Sequence, residues 1–145
     1  MIRINVVDDY SGNLEFKTDS IKELVGSVLK NQNCKRGEVK IIFTKDEVIR
    51  LFKKKYFNID VYSDVISFNL EEGKEPLEGE VYISWDRVIE NAKIFSQNFE
   101  TELKRIIIHG SLHLVGYDDK TEDEIFFMGN LEEKYLSLNA NLIIL

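Results

Sequence analysis

His109 and His113 are the only histidines in the chain, and they stand four residues apart inside the run IIIHGSLHLVGYDD, residues 106–119. In an α-helix, residues i and i+4 lie one above the other on one face. Two imidazoles at that spacing can grip a single metal ion. Gly116 follows three residues after His113. A glycine just beyond a periodic segment stops a helix, because it takes the left-handed conformation without steric cost. The chain then turns back, and Asp118 or Asp119 is placed to offer an oxygen ligand. Three protein ligands with a fourth position open to water is the pattern of a catalytic zinc site. A lone histidine on a helix is usually a core or surface residue. A pair at ligand spacing, with a glycine stop and a double carboxylate behind it, argues for a metal.

The spacing is similar to the metzincin pattern H-E-x-x-H-x-x-G-x-x-H. His109, His113, Gly116 and Asp119 fall on its first ligand, second ligand, turn glycine and third ligand. Two positions depart from it: Gly110 stands where the general-base glutamate belongs, and Asp119 stands where the third histidine belongs. Without the glutamate, peptide hydrolysis lacks the group that activates water, so a metallopeptidase is the weaker reading. Glycine inside a helix also costs about 1 kcal/mol relative to alanine. Position 110 is therefore expected to meet a close approach, of another backbone or of substrate.

The string HGSLHLVGYDD resembles the H-G-x-L-H-L-x-G-Y-D-H signature of the YbeY family of metal-dependent endoribonucleases, also called rRNA maturation factors. Upstream, residues 63–68 (SDVISF) resemble that family's T-D-V-L-S-F segment. Residues 79–81 (GEV) resemble the start of its next strand, and Tyr56 and Asp60 match a preceding Y-x-x-x-D. Glu124 and Met128 fall where the family has an acidic residue and a methionine. The likeness covers roughly residues 40 to 136, with its segments in the right order.

The resemblance implies an endoribonuclease that cleaves single-stranded RNA with one divalent ion per chain, zinc before other metals. It implies His109, His113 and Asp119 as ligands. It also implies ribosomal RNA and the small ribosomal subunit as partners, with roles in rRNA maturation and ribosome quality control and without DNA or membrane. Asp118 is the nearest candidate for a general base, with a carboxylate that orients a histidine ring, or a simple turn residue, as the alternatives. Asp64 is either a turn residue bonding its own backbone or, as the resemblance implies, part of the cleft border. The arginine that usually follows the family's upstream tyrosine is Phe57 here. Among Lys53, Lys54 and Lys55, Lys55 is taken as the replacement phosphate contact, although cations in a last helical turn also serve the helix dipole. Phe57, Asp119 and the acidic balance fit a rival reading as well, a ribosome-associated binding module with a weakened metal site.

The elements that must position these residues are legible in outline. The 145 residues fit one domain over 1–145 and are enough to bury a full core. The hydrophobic share of 43% with a single proline is that of a folded globule. Cys34 is the only cysteine, so no internal disulfide can form, which suits a reducing cytoplasm. No signal-like N-terminal run and no apolar stretch of 18 residues is present, so membrane spanning is not expected. The net charge of −7 opposes broad binding to a phosphate backbone. It calls for a local basic patch or a delivering partner, unless it serves solubility alone.

Alternation and β-branching predict strands over 2–7, 39–43, 65–69 and 80–84, the last two joined as an antiparallel hairpin across an acidic loop at 71–78. Helical periodicity predicts a helix after Thr18 or Asp19 with Ile21, Leu24, Val25, Val28 and Leu29 inward. A second is predicted behind a Thr44/Glu47 capping box, burying Val48, Leu51 and Phe52. A third follows Asp86, burying Val88, Ile89, Ala92 and Phe95. The histidine helix starts at Asn98 or Glu100. A last helix opens on a Thr121/Glu124 capping box and buries Ile125, Met128, Leu131 and Tyr135. The order β, α, β, α, β, β, α, α, α predicts an α+β fold: one mixed sheet of about four strands with helices against it, one of them a metzincin-like metal helix.

Overall fold

The computed structural model describes residues 1–71 and 76–145, so half of the acidic loop expected at 71–78, residues 72–75, lies outside the described residues. The chain runs β1 (Ile2–Asp8), α1 (Thr18–Asn31), β2 (Gly37–Thr44), α2 (Asp46–Phe57), β3 (Val65–Asn69), β4 (Leu77–Ser84), α3 (Trp85–Ile94), α4 (Phe99–Leu114) and α5 (Glu122–Leu138). The four strands form one mixed sheet in the order β1-β2-β4-β3. β1 and β4 flank β2 in parallel, and β3 pairs with β4 antiparallel, as the hairpin spacing predicts. This is the expected α+β architecture.

Side chains alternate across a strand, and here the alternation separates two layers. Val39, Ile41 and Phe43 of β2 stand in register with Gly79, Val81 and Ile83 of β4. These residues face α1 and α4, and together with Leu24, Val28, Leu103 and Ile107 they form the core. The opposite face carries Phe68 and Tyr82, which pack edge-on against Phe52 of α2 with ring centroids 5.6 and 4.8 Å away. The histidine helix α4 therefore lies directly on β3 and β4. Fully burying each large aliphatic residue in this layer contributes roughly 1.5–3 kcal/mol.

Several local expectations are corrected. Thr44 does not cap α2: it is the last residue of β2, paired in register with Ser84, and its hydroxyl is buried without a hydrogen-bond partner. The helix starts beyond it, with Lys45 at the N-cap. Asp46 in the first turn accepts instead from Ser84 Oγ (2.8 Å) and from Arg87 Nη2 (2.6 Å). Ser84, not Asp86, caps α3, accepting the Arg87 N–H at 3.1 Å, while Asp86 takes the Tyr10 hydroxyl. Lys17 precedes α1, so Thr18 and Asp19 lie inside the helix.

The buried side of α2 is Ile49, and Leu51 is exposed. Ile89, Phe95 and Ile125 also face outward. In each case the helix touches the core over a stripe narrower than its apolar residues would allow. The expected caps at Asn98 and at Thr121/Glu124 are present. Met128 is buried as a core gap-filler, and the apolar tail packs inward through Ile143.

Candidate metal centre

Gly110 explains why α4 can lie so close to the sheet. A Cβ there would stand 2.5 Å from Val81 Cγ1 and 3.1 Å from Val65 Cγ2. The close approach at this position is made by strand side chains, and not by the backbone or substrate that the sequence suggests. Ser67 Oγ fixes the contact by donating to the Gly110 carbonyl at 2.9 Å. With Gly110 turned to the sheet, His109 and His113 project from an adjacent face into a cleft of about 540 Å³.

The turn after α4 completes the site. Gly116 has φ +103°, the left-handed conformation that ends the helix. The Gly116 and Tyr117 N–H groups close the turn on the carbonyls of His113 (3.1 Å) and Leu112 (3.1 Å). The Tyr117 hydroxyl anchors the reversed chain to Gln32 at the end of α1, donating at 2.8 Å. Asp119 then comes back under the histidines, its carboxylate oxygens 3.2 Å from His109 Nε2 and 3.6 Å from His113 Nε2.

The outer ring nitrogens fix the tautomers. His113 Nδ1 lies 2.9 Å from the Tyr117 carbonyl. A carbonyl can only accept, so Nδ1 carries the hydrogen and Nε2 of the neutral ring is a bare lone pair. His109 Nδ1 lies 2.9 Å from the Glu132 carboxylate, which directs the His109 Nε2 lone pair the same way. The two Nε2 atoms are 3.0 Å apart. Lone pairs and a carboxylate so converged repel unless a positive centre stands among them. Ligand atoms of His109, His113 and Asp119 all lie within 4.8 Å of one another, a set able to hold a metal ion. In the metal-free protein, burial alone lowers the His109 pKa. Glu132, followed by Asp119 and Asp64, outweighs it and holds the pKa above the usual imidazole value.

The other candidate residues separate. Asp118 lines the cleft, where it accepts the Asp119 N–H at 3.3 Å and lies 3.6 Å from Lys120 Nζ. The carboxylate that orients a histidine ring is Glu132 on α5, not Asp118. Sequence reading missed Glu132, although a signal existed. It falls on the inward stripe of α5 between Met128 and Tyr135, and an acid on such a stripe needs a partner. Asp64 borders the cleft and accepts from Asn91 Nδ2 at 3.0 Å. Burial pushes its carboxyl up, against His109 and its own backbone N–H. Lys55 is not brought to the cleft, since its ammonium sits over the Tyr56 ring, 5.2 Å from the centroid. Lys53 and Lys120 are the lysines that line it, together with Phe57.

Comparison with known proteins agrees with this geometry. The family model described as endoribonuclease YbeY matches residues 6–139. The chain belongs to the YbeY endoribonuclease family. Curated relatives named endoribonuclease YbeY include one from Flavobacterium psychrophilum, 42% identical over 114 residues, with 79% of this chain and 81% of the relative covered. Another, from Flavobacterium johnsoniae, is 35% identical over 139 residues, with 95% and 96% covered. The solution structure of TM1509 from Thermotoga maritima superposes with a TM-score of 0.60 at 27% identity, covering 95% of this chain and 91% of that one. Members of the YbeY family are hydrolases of RNA, so this chain is an enzyme of that class. Among the described residues, no helix is long and apolar enough to cross a membrane.

Proposed function

We propose that the chain is a cytoplasmic endoribonuclease that cleaves single-stranded RNA. It uses one zinc ion per chain and acts with the small ribosomal subunit in ribosomal RNA maturation and ribosome quality control. The observation that carries the reading is the convergence of two imidazole lone pairs and the Asp119 carboxylate on one point of the cleft. Two nitrogens and an oxygen suit zinc, and also nickel or iron.

His109, His113 and Asp119 are the ligands in this reading. When bound, a divalent ion supplies Lewis acidity, lowering the pKa of water and polarising a phosphoryl oxygen. Glu132 and the Tyr117 carbonyl hold the two rings in register, a role whose loss typically lowers metal affinity 10–100-fold. Asp119 adds a negative charge that a third histidine would not, which leaves water less acidic than in an all-imidazole site.

Lys53 and Lys120 stand on the cleft border as phosphate contacts in a chain whose net charge is −7. In this reading Asp118, a cleft carboxylate outside the ligand set, exchanges a proton at the solvent side. Asp64, another residue of the cleft lining, borders the substrate in this reading. A peptidase mechanism is disfavoured because position 110, where the general-base glutamate would stand, faces Val81 and Val65.

Elemental analysis of protein purified without added metal, with His109→Ala and Asp119→Ala alongside, tests the reading. About one zinc per chain, lost in both variants, is expected, together with cleavage of single-stranded RNA that chelation abolishes. A wild-type protein that stays empty when zinc is offered overturns the mechanism and leaves a binding module on the family fold.

A further inference from the structure

Three aromatic residues occupy the last turn and a half of α2, and they do different things. Phe52 and Tyr56 pack on the sheet, with centroids 5.6 and 5.3 Å from that of Phe68. Phe57 is one residue further on, rotated by about 100° around the helix. It stands outside that cluster, borders the cleft that holds His109 and His113, and is 51% exposed. Lys53, one turn earlier on the same helix, carries its ammonium over the Phe57 ring, 5.3 Å from the centroid. Tyr56 is as open, at 55%, but does not line the cleft, so position at the cleft and not exposure sets Phe57 apart.

We propose that Phe57 is a stacking platform for an unpaired nucleobase of the RNA strand, with Lys53 held over the ring to meet an adjoining phosphate. The inference rests on reading the cleft as a single-stranded RNA site and names the residue through which that site meets an unpaired base. Base–aromatic stacking needs a free base face, which a single strand offers and a paired duplex covers. It is tolerant of base identity and little screened by salt, which suits a cleft lined by only two lysines, Lys53 and Lys120, among the described residues. Stacking and charge are thus divided between two residues one turn apart.

The test uses 2′-O-methyl oligoribonucleotides, which resist cleavage, with 2-aminopurine placed at successive positions. Wild-type protein is expected to quench the fluorophore at one position through stacking. Phe57→Leu keeps an apolar side chain of similar size and should fold. It is expected to lose the quenching and bind about tenfold more weakly, while Phe57→Trp restores both. In cleavage of a natural single strand the Phe57→Leu loss falls on KM rather than kcat, because the contact is made equally in ground and transition states. Lys53→Ala, by contrast, lowers the slope of log affinity against log salt by about 1, and Phe57→Leu leaves that slope alone. If wild-type protein binds the strand and Phe57→Leu binds and quenches equally, the stacking role is overturned while the RNA reading stands. If wild-type protein binds no single strand, both fall.

Discussion

Gly110 and His109 are neighbours on α4, yet the faces they belong to obey different rules. The sheet-facing side, Gly110 and Leu114, is limited by space: Leu114 lies against Gly79 as closely as Val81 lies against Gly110. The cleft-facing side, His109 and His113, is half-buried, and each outer ring nitrogen has a fixed partner, the Glu132 carboxylate or the Tyr117 carbonyl. One face sets how near the helix lies to the strands, and the other sets what it can bind. A single signature motif therefore contains residues that pack against the sheet and residues proposed for chemistry, and substitutions should separate the two.

Gly110→Glu should have the largest effect. It forces side-chain atoms into Val81 and Val65 and buries a carboxylate with no partner. A loss above about 3 kcal/mol is expected, seen as a melting temperature lower by roughly 10 °C or as failure to fold. A stable Gly110→Glu protein would mean that the sheet face is not space-limited.

His113→Ala should do the converse. Chelator-treated variant is expected to melt within about 3 °C of chelator-treated wild type, while zinc content after reloading falls to none. A retained full equivalent of zinc would remove His113 from the ligand set.

Glu132→Gln keeps an acceptor for His109 Nδ1 but removes the charge, so zinc affinity should fall about tenfold in competition with a chelating dye. Unchanged affinity would show that Glu132 only fills space. Ser67→Ala is the mildest: it deletes the 2.9 Å bond to the Gly110 carbonyl and should cost about 1 kcal/mol of stability. Zinc affinity should not change, and a fall there would show that the two faces are coupled.

Much of this arrangement was legible before any coordinates. The i, i+4 histidines, the Gly116 stop and the Thr121/Glu124 capping box are local patterns, set by helix pitch and backbone sterics within a few residues. The β3–β4 hairpin was legible for the same reason. Thr44 misled because a good capping residue was also the last strand residue, and the ladder partner Ser84 took precedence. Leu51, Ile89 and Ile125 misled because an apolar residue can sit at the edge of a stripe without being covered.

By itself, then, the sequence determined the histidine pair, the turn behind it and the family signature, all of which depend on spacing along one chain segment. Tertiary structure decided the rest. It brought the Asp119 carboxylate, which the signature spacing already marked, to 3.2 Å from His109 Nε2, through a turn anchored at Gln32. It brought Glu132 from α5, 23 residues away, to orient His109. It chose Lys53 over Lys55 for the cleft, because only one face of α2 borders it. These outcomes follow from how helices are rotated and docked on the sheet, which is fixed by core packing among residues distant in sequence and not by the residues of the site.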